Sequence, residues 1–246
     1  MRLGRQDFPG FLTKTTGNVY GNTMSNFEFQ YSVMWESVPV LLGGLKLTII
    51  ITLAGLLFGF MLGALAGLMK ISRNPLIRRI AGAYVEAIRG TPLMVQVMFL
   101  YFGLPLALGM RIPPLAAGII AIAVNSGAYI AEIVRGAIQS INKGQMEAGR
   151  SIGLTHLQAM RYIIWPQAFK RMIPPLGNQF IISLKDTSLL VVVGVGELTR
   201  QGQEIIAENF RAFEVWLTVA ILYLAMTMTI AKLLRMLEKR MLRSER

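Results

Sequence analysis

The 246-residue chain is 54% hydrophobic and only 15% charged, with a mean hydropathy of +0.52, against roughly 45–50% apolar and 25% charged for soluble domains. Its formal charge of +12 is carried by residues that flank apolar runs instead of gathering on one soluble domain, which excludes a nucleic-acid-binding module and fits orientation in a bilayer. The absence of cysteine excludes disulfides and thiol chemistry. Met1 to Trp35 contains no apolar h-region, so no signal peptide is expected ahead of the first apolar run.

In chain order, residues 1–36 are polar and mixed, and read as an extracytoplasmic loop or short surface helix. Leu47 to Met69 gives 23 uncharged residues between Lys46 and Lys70, enough to cross a hydrocarbon core of about 30 Å. Within it Gly55, Gly59, Gly63 and Gly67 recur every four residues. Small residues at that spacing let a second helix approach closely, although glycine is also common in membrane helices generally. Gly90 to Met110 is the second uncharged run, with Pro92 suited to a first helical turn. Ile112 to Ala131 is the third, opening on Pro113 and Pro114 and closing at Glu132 and Arg135, which sit three apart and can pair at the interface. The fourth runs from about Ile173 to Gly196 and the fifth from Val215 to Ala231. The fold class expected is therefore all-α: a polytopic bundle of about five membrane helices.

The loops set the orientation, because the cytoplasmic side keeps the excess of Lys and Arg. Lys70, Arg73, Arg78, Arg79 and Arg89 lie between runs one and two; Arg135, Lys143, Arg150, Arg161, Lys170 and Arg171 lie between three and four. Lys232, Arg235, Lys239, Arg240, Arg243 and Arg246 follow run five. The opposite side mixes Arg111, Arg200 and Arg211 with Glu197, Glu204, Glu208 and Glu214. An external N-terminus, a cytoplasmic loop over 136–172 and a cytoplasmic tail over 241–246 follow.

Inside that loop, Gln145 to Tyr162 carries Met146, Ile152, Leu154, Leu157 and Met160 at helical spacing, with Arg150, Gln158 and Arg161 between them. Such an amphipathic element is too short and too charged to span a bilayer, and belongs at the membrane surface or in the socket of a partner protein. Glu147, placed near a helix N-terminus, is favoured there by the helix dipole.

The same stretch resembles the EAA motif of ATP-binding cassette importer permeases. Glu147, Ala148 and Gly149 are followed after three residues by Gly153, and after nine more by Ile163 and Pro166. Gly149 stands where the motif has its second alanine and Trp165 where it has leucine; neither change loses a charge. RGTPL (Arg89–Leu93), YFGLP (Tyr101–Pro105), PPLGNQFI (Pro174–Ile181) and LKDTSL (Leu184–Leu189) look like the branch importing polar amino acids such as histidine, glutamine and arginine. The likeness covers roughly Leu42 to Glu238 and marks 37–240 as the transmembrane domain. It implies that the Glu147–Pro166 loop forms a coupling helix, turned by Gly153, that docks on separate ATPase subunits binding ATP and Mg. It also implies a second permease subunit, identical or homologous, an extracytoplasmic substrate-binding protein, and residence in the bacterial inner membrane.

For the path through the bilayer, Lys185 and Asp186 stand out. Twelve residues beyond Ile173, at about 1.5 Å each, place Lys185 about 18 Å deep, where a charge costs roughly 2.5–3.5 kcal/mol. Either these charges form a structural network, or they line a cavity, with the lysine meeting a substrate carboxylate and the aspartate its ammonium. Thr187 and Ser188 supply hydroxyls, and Asn125, Ser126, Tyr129, Asn178 and Gln179 are the polar residues able to join them. Glu132 and Arg135 fit an inner gate or helix end. His156 is the only histidine and reads as a surface residue. No metal-ligand cluster, Walker loop or nucleophile–base word occurs, so neither a catalytic residue nor a cofactor is expected on this chain, which is not itself an enzyme. The alternative class is an ion-coupled secondary transporter, against which stands the lack of an inverted repeat.

Overall fold

The computed structural model describes residues 28–242, which are helical almost throughout and contain no strand. Residues 1–27 and 243–246, parts of the N-terminal segment and the tail delimited above, lie outside the described residues.

Helix α1 (Tyr31–Lys70) is 40 residues long and begins inside the segment expected to be a loop or short surface helix. The reason is tertiary. Val33 and Leu41 recur on one stripe and pack with Leu198, Val215 and Val219, while Glu36 and Lys46 stay exposed on the other side. At about 1.5 Å per residue α1 is about 60 Å long, twice a hydrocarbon core, so part of it stands clear of the bilayer.

Helix α2 (Pro75–Arg89) occupies what was expected to be a cytoplasmic connection. Asn74 caps it by accepting from the Leu76 amide at 2.9 Å, and Pro75 at the first position loses no bond. Ala81 and Val85 are its buried residues, and Val85 packs with Ala66 of α1 and with Ala131. The second uncharged run is a shorter helix over Leu93–Leu108, bent by 102° from α2. It comprises α3 (Leu93–Met98), a π-helical turn (Phe99–Gly103) and α4 (Leu104–Leu108). Helix α5 (Pro114–Gln139) continues past Ala131, through Glu132 and Arg135, so the charged loop starts later than the sequence suggested.

The glycine stripe of α1 lies on α5. A Cβ at Gly55 would stand 2.5 Å from Ile122 Cγ2, one at Gly63 would stand 2.6 Å from the Gly127 carbonyl, and one at Gly67 would stand 2.8 Å from the Ala131 carbonyl. Gly59 faces Ser126 and the Ala123 carbonyl in the same way. At the far end of this pair Glu132 is shared: Oε1 accepts from Lys70 Nζ, and Oε2 accepts from Arg135 Nε at 2.9 Å and from Nη2. Glu132→Gln would leave two cations facing a neutral amide. We expect it to cost about 1–3 kcal/mol, read as a fall of several degrees in the melting temperature of the purified protein.

Beyond α5 come α6 (Lys143–Ser151), α7 (His156–Ala159), a π-helical turn (Met160–Ile164), α8 (Trp165–Asp186) and a 3₁₀ segment (Thr187–Val193). From His156 to Val193 this path is continuously helical. Helices α9 (Leu198–Asn209) and α10 (Ala212–Leu242) complete the chain. Among the described residues, four helical stretches are long and apolar enough to cross a membrane, and five if the bent α2–α3 pair counts as one.

Candidate functional site

The bend after α2 has a local cause. Pro92 disfavours a helical residue before it, so the helix stops at Arg89, passes through Gly90 and Thr91, and restarts at Leu93. This leaves Arg89 and Thr91 at the mouth of a cavity of about 600 Å³. Asn125 and Tyr129, one turn apart on α5, form a second wall; Gln179, Ile182 and Asp186, on one face of α8, form a third. The Arg89 guanidinium lies 5.2 Å from the centre of the Tyr129 ring, a cation–π distance. Among the described residues neither Arg89 nor Asp186 has an ion-pair partner. Two opposite charges and several amide and hydroxyl groups thus share one opening.

Of the residues singled out for the path, the structure brings Asn125, Tyr129, Gln179 and Asp186 together. Lys185 does not line this cavity; it is exposed one position round the helix. Asn178 lines a separate cleft between α8 and α10 with Pro174, Gly177 and Arg235. Thr187 is fully buried, donates to the Leu184 carbonyl at 2.7 Å and does not line the cavity. Ser188 is half-buried outside the cavity lining. The helix does change at this point, tightening from α to 3₁₀ after Asp186. Arg89 and Thr91, read in the sequence only as part of the RGTPL word and, for Arg89, as an orientation charge, were not assigned to the path.

The amphipathic element expected over Gln145–Tyr162 is built from two helical arms with a turn between them. Asn142 caps α6 by accepting from the Gly144 amide at 2.8 Å, and α6 ends at Ser151. Gly153 then turns the chain with φ of +90°. Thr155 opens the return arm with a capping box, accepting from the Gln158 amide at 3.3 Å while Gln158 Oε1 accepts from the Thr155 amide at 2.8 Å. Glu147 and Ala148 are exposed. Glu147 lies in the second turn of α6, and the dipole effect falls off within the first, so the stabilisation expected for it is small. Gly149 is buried; a Cβ there would stand 2.6 Å from Ile163 Cδ1 and 3.3 Å from Ala159 Cβ, so the alanine of the motif would fit only if the tip of Ile163 moved aside. Pro166 sits in the first turn of α8. At the tip of this turned loop Ile152 is 78% exposed and Leu157 80%, an apolar surface beside charged residues.

A third feature escaped the sequence reading. Glu197, fully buried, caps α9 by accepting from the Thr199 and Arg200 amides at 2.9 Å each and from the Tyr223 hydroxyl at 3.1 Å. Burial pushes its carboxyl above the usual carboxylate range, against the downward pull of those donors.

A helical bundle with a sharply bent helix pair, a polar cavity and an exposed turned loop is the architecture of a transport permease. The chain belongs to the family of binding-protein-dependent transport system inner membrane components, whose model matches residues 55–243; it is thus a multi-pass inner-membrane protein. It is 52% identical over 215 residues to the glutamine transport system permease protein GlnP of Escherichia coli (strain K12), covering 87% of this chain and 98% of that one. It is 35% identical over 223 residues to the L-cystine transport system permease protein TcyL of Bacillus subtilis (strain 168), covering 88% and 93%. Among solved structures, one chain of an amino acid ABC transporter crystallised with histidines superposes with a TM-score of 0.83 at 42% identity, covering 87% of this chain and 100% of that one. The MetNI methionine ABC transporter, at 24% identity and a TM-score of 0.70 over 88% and 99%, shares the fold.

Proposed function

We propose that this chain is the permease subunit of an ATP-driven importer for a polar amino acid, glutamine first among them, and that the Arg89–Asp186 cavity lies on its substrate path. The observation that carries the reading is a pair of opposite charges, neither held in an ion pair among the described residues, opening into one cavity of about 600 Å³. A zwitterion brings a carboxylate for the guanidinium and an ammonium for the aspartate, while Tyr129, Asn125 and Gln179 supply hydrogen bonds. The glutamine carried by the 52% identical relative supports the choice of substrate. Nothing in the sequence or structure favours an ion-coupled secondary transporter.

The partners follow from this reading. ATPase subunits, binding ATP and Mg, dock on the turned loop around Glu147, Ala148, Gly149 and Gly153. A second permease subunit closes the path, and an extracytoplasmic binding protein delivers the amino acid. In proteoliposomes holding the whole complex, glutamine uptake should require internal or external ATP on the ATPase side and be indifferent to ion gradients. Uptake driven by an ion gradient without ATP would sink the proposal.

In this reading the excess of Lys and Arg puts the loop in the cytoplasm and the start of α1 outside. Single cysteines at the exposed positions Ser32 and Ser151 of this cysteine-free chain should react with an impermeant thiol reagent from opposite sides of sealed vesicles. Labelling of both from one side would reject the assignment. For the loop itself, a Cβ at Gly153 meets no atom within 4 Å, so a larger residue is opposed only by its left-handed backbone, about 1–3 kcal/mol. Gly153→Val should therefore leave the protein inserted but reset the angle between α6 and the return arm, with ATP hydrolysis continuing and uptake falling several-fold. Normal uptake per ATP hydrolysed would show that the turn does not couple.

A further inference from the structure

The amide of Gln96, in the first turn of α3, is held at both ends. Nε2 donates to the Ile88 carbonyl at 2.8 Å, to the Thr91 carbonyl at 3.1 Å and to Thr91 Oγ1 at 3.0 Å. Oε1 accepts from Asn125 Nδ2 at 3.1 Å. The orientation of each amide follows from chemistry alone. Two backbone carbonyls can only accept, so the end of Gln96 facing them is its NH₂. Its other end is then the oxygen, and the end of Asn125 that meets it must in turn be an NH₂. Asn125 Oδ1 points elsewhere. It has no partner among the described residues, and no side-chain oxygen fully buried among them lacks one. This oxygen is therefore not fully enclosed, and the cavity is the opening that Asn125 lines.

We propose that Gln96 is a specificity-positioning residue: it fixes Asn125 with its oxygen towards the cavity, so that the wall accepts a side chain that donates N–H and rejects one that only accepts. The proposal rests on the reading of this cavity as the substrate path. With Arg89 and Asp186 engaged by the main-chain carboxylate and ammonium, Asn125 is left for the side chain. A carboxamide can turn its NH₂ to Asn125 Oδ1. A carboxylate of the same shape sets oxygen against oxygen, and Asn125 cannot turn over without setting Gln96 oxygen against its own oxygen or Gln96 oxygen against the two carbonyls. One side chain thus ties the two sides of the bend to the polarity of the cavity wall.

The test uses glutamine and glutamate, which share size and shape, and measures their binding by calorimetry to the purified permease–ATPase complex in nanodiscs without any binding protein. The wild type should prefer glutamine. Gln96→Met, which frees Asn125 to rotate, should reduce the glutamine-to-glutamate preference about tenfold, as should Asn125→Leu, and the double variant should lose little more. A preference unchanged in Asn125→Leu, or weakened binding of both amino acids by one factor in Gln96→Met, overturns the proposal. If Gln96→Met fails to assemble, the Asn125→Leu preference alone decides. Arg89→Met separates the two readings, since it removes a partner of the shared carboxylate. It should weaken both ligands equally while leaving their ratio intact, and if it alters neither, the cavity itself is not the path.

Discussion

Arg89→Met and Asp186→Asn are each expected to lower glutamine uptake by the reconstituted complex about 10- to 100-fold while the complex assembles and melts as the wild type does. The loss follows from removing a charge-assisted hydrogen bond to a main-chain charge of the substrate, about 1.5–3 kcal/mol for each. Preserved stability follows from the lack of an ion-pair partner for either residue among the described residues. Breaking an engaged buried pair strands the other charge and costs about 3–5 kcal/mol; here nothing is stranded. Removing a charge at membrane depth also lifts an insertion cost of roughly 2.5–3.5 kcal/mol. Lys185→Met, exposed and off the cavity, is expected to leave glutamine binding unchanged. Vesicle uptake and thermal melting, measured on the same preparations, decide the matter. A collapse in melting temperature with Arg89→Met or Asp186→Asn would make these charges structural.

Gly63→Leu is expected to give the largest loss of stability in the chain. The Cβ alone would stand 2.6 Å from the Gly127 carbonyl and 2.7 Å from Ile130 Cβ. A flexible side chain could yield, but the carbonyl belongs to α5's own hydrogen-bonded backbone, so the two helix axes must part. Overpacking of this kind costs about 3 kcal/mol or more, which for a chain of this size lowers the melting temperature by about 6–12 °C. Gly43→Ala and Gly82→Ala are the controls, since a Cβ at either meets nothing within 4 Å. Both should be neutral or slightly stabilising, because alanine is the better helix former by about 1 kcal/mol. If Gly63→Leu melted like these two, close backbone packing would not be holding α1 to α5.

What the sequence disclosed and what it hid divide along physical lines. Long uncharged runs have no soluble alternative, so most of the spans were legible from composition. The amphipathic α2 was hidden because its charges, Arg78, Arg79 and Arg89, read as an orientation signal, whereas Ala81 and Val85 reveal a buried face only once α1 and α5 are in place. Arg89 was missed for the same reason, although the Gly90–Pro92 break beside it was visible and a charge next to a helix break is a signal worth weighing. Depth was readable for Lys185 and Asp186 by counting residues, yet the face was not. Gln179, Ile182 and Asp186 fall on one side of α8 and Lys185 on another, a difference that helical phase decides and depth does not. The 16 residues of α1 before Leu47 carry charges that argue against a span, and only their packing against α9 and α10 explains why they are helical.

The unbroken helical path from His156 to Val193 makes the turned loop and the cavity wall two ends of one lever. Ala159 and Asp186 are 27 residues apart on it, about 40 Å at 1.5 Å per residue. A tilt of about 5° about the loop end therefore carries Asp186 sideways by about 3 Å, roughly the length of one hydrogen bond. The arm also has its own joints: the π-helical turn at Met160–Ile164, and Pro174–Pro175, whose missing N–H groups take two rungs out of the backbone ladder. A small push at one end can thus make or break contact with a substrate at the other, and the stiffness of those two joints sets how much of the push arrives.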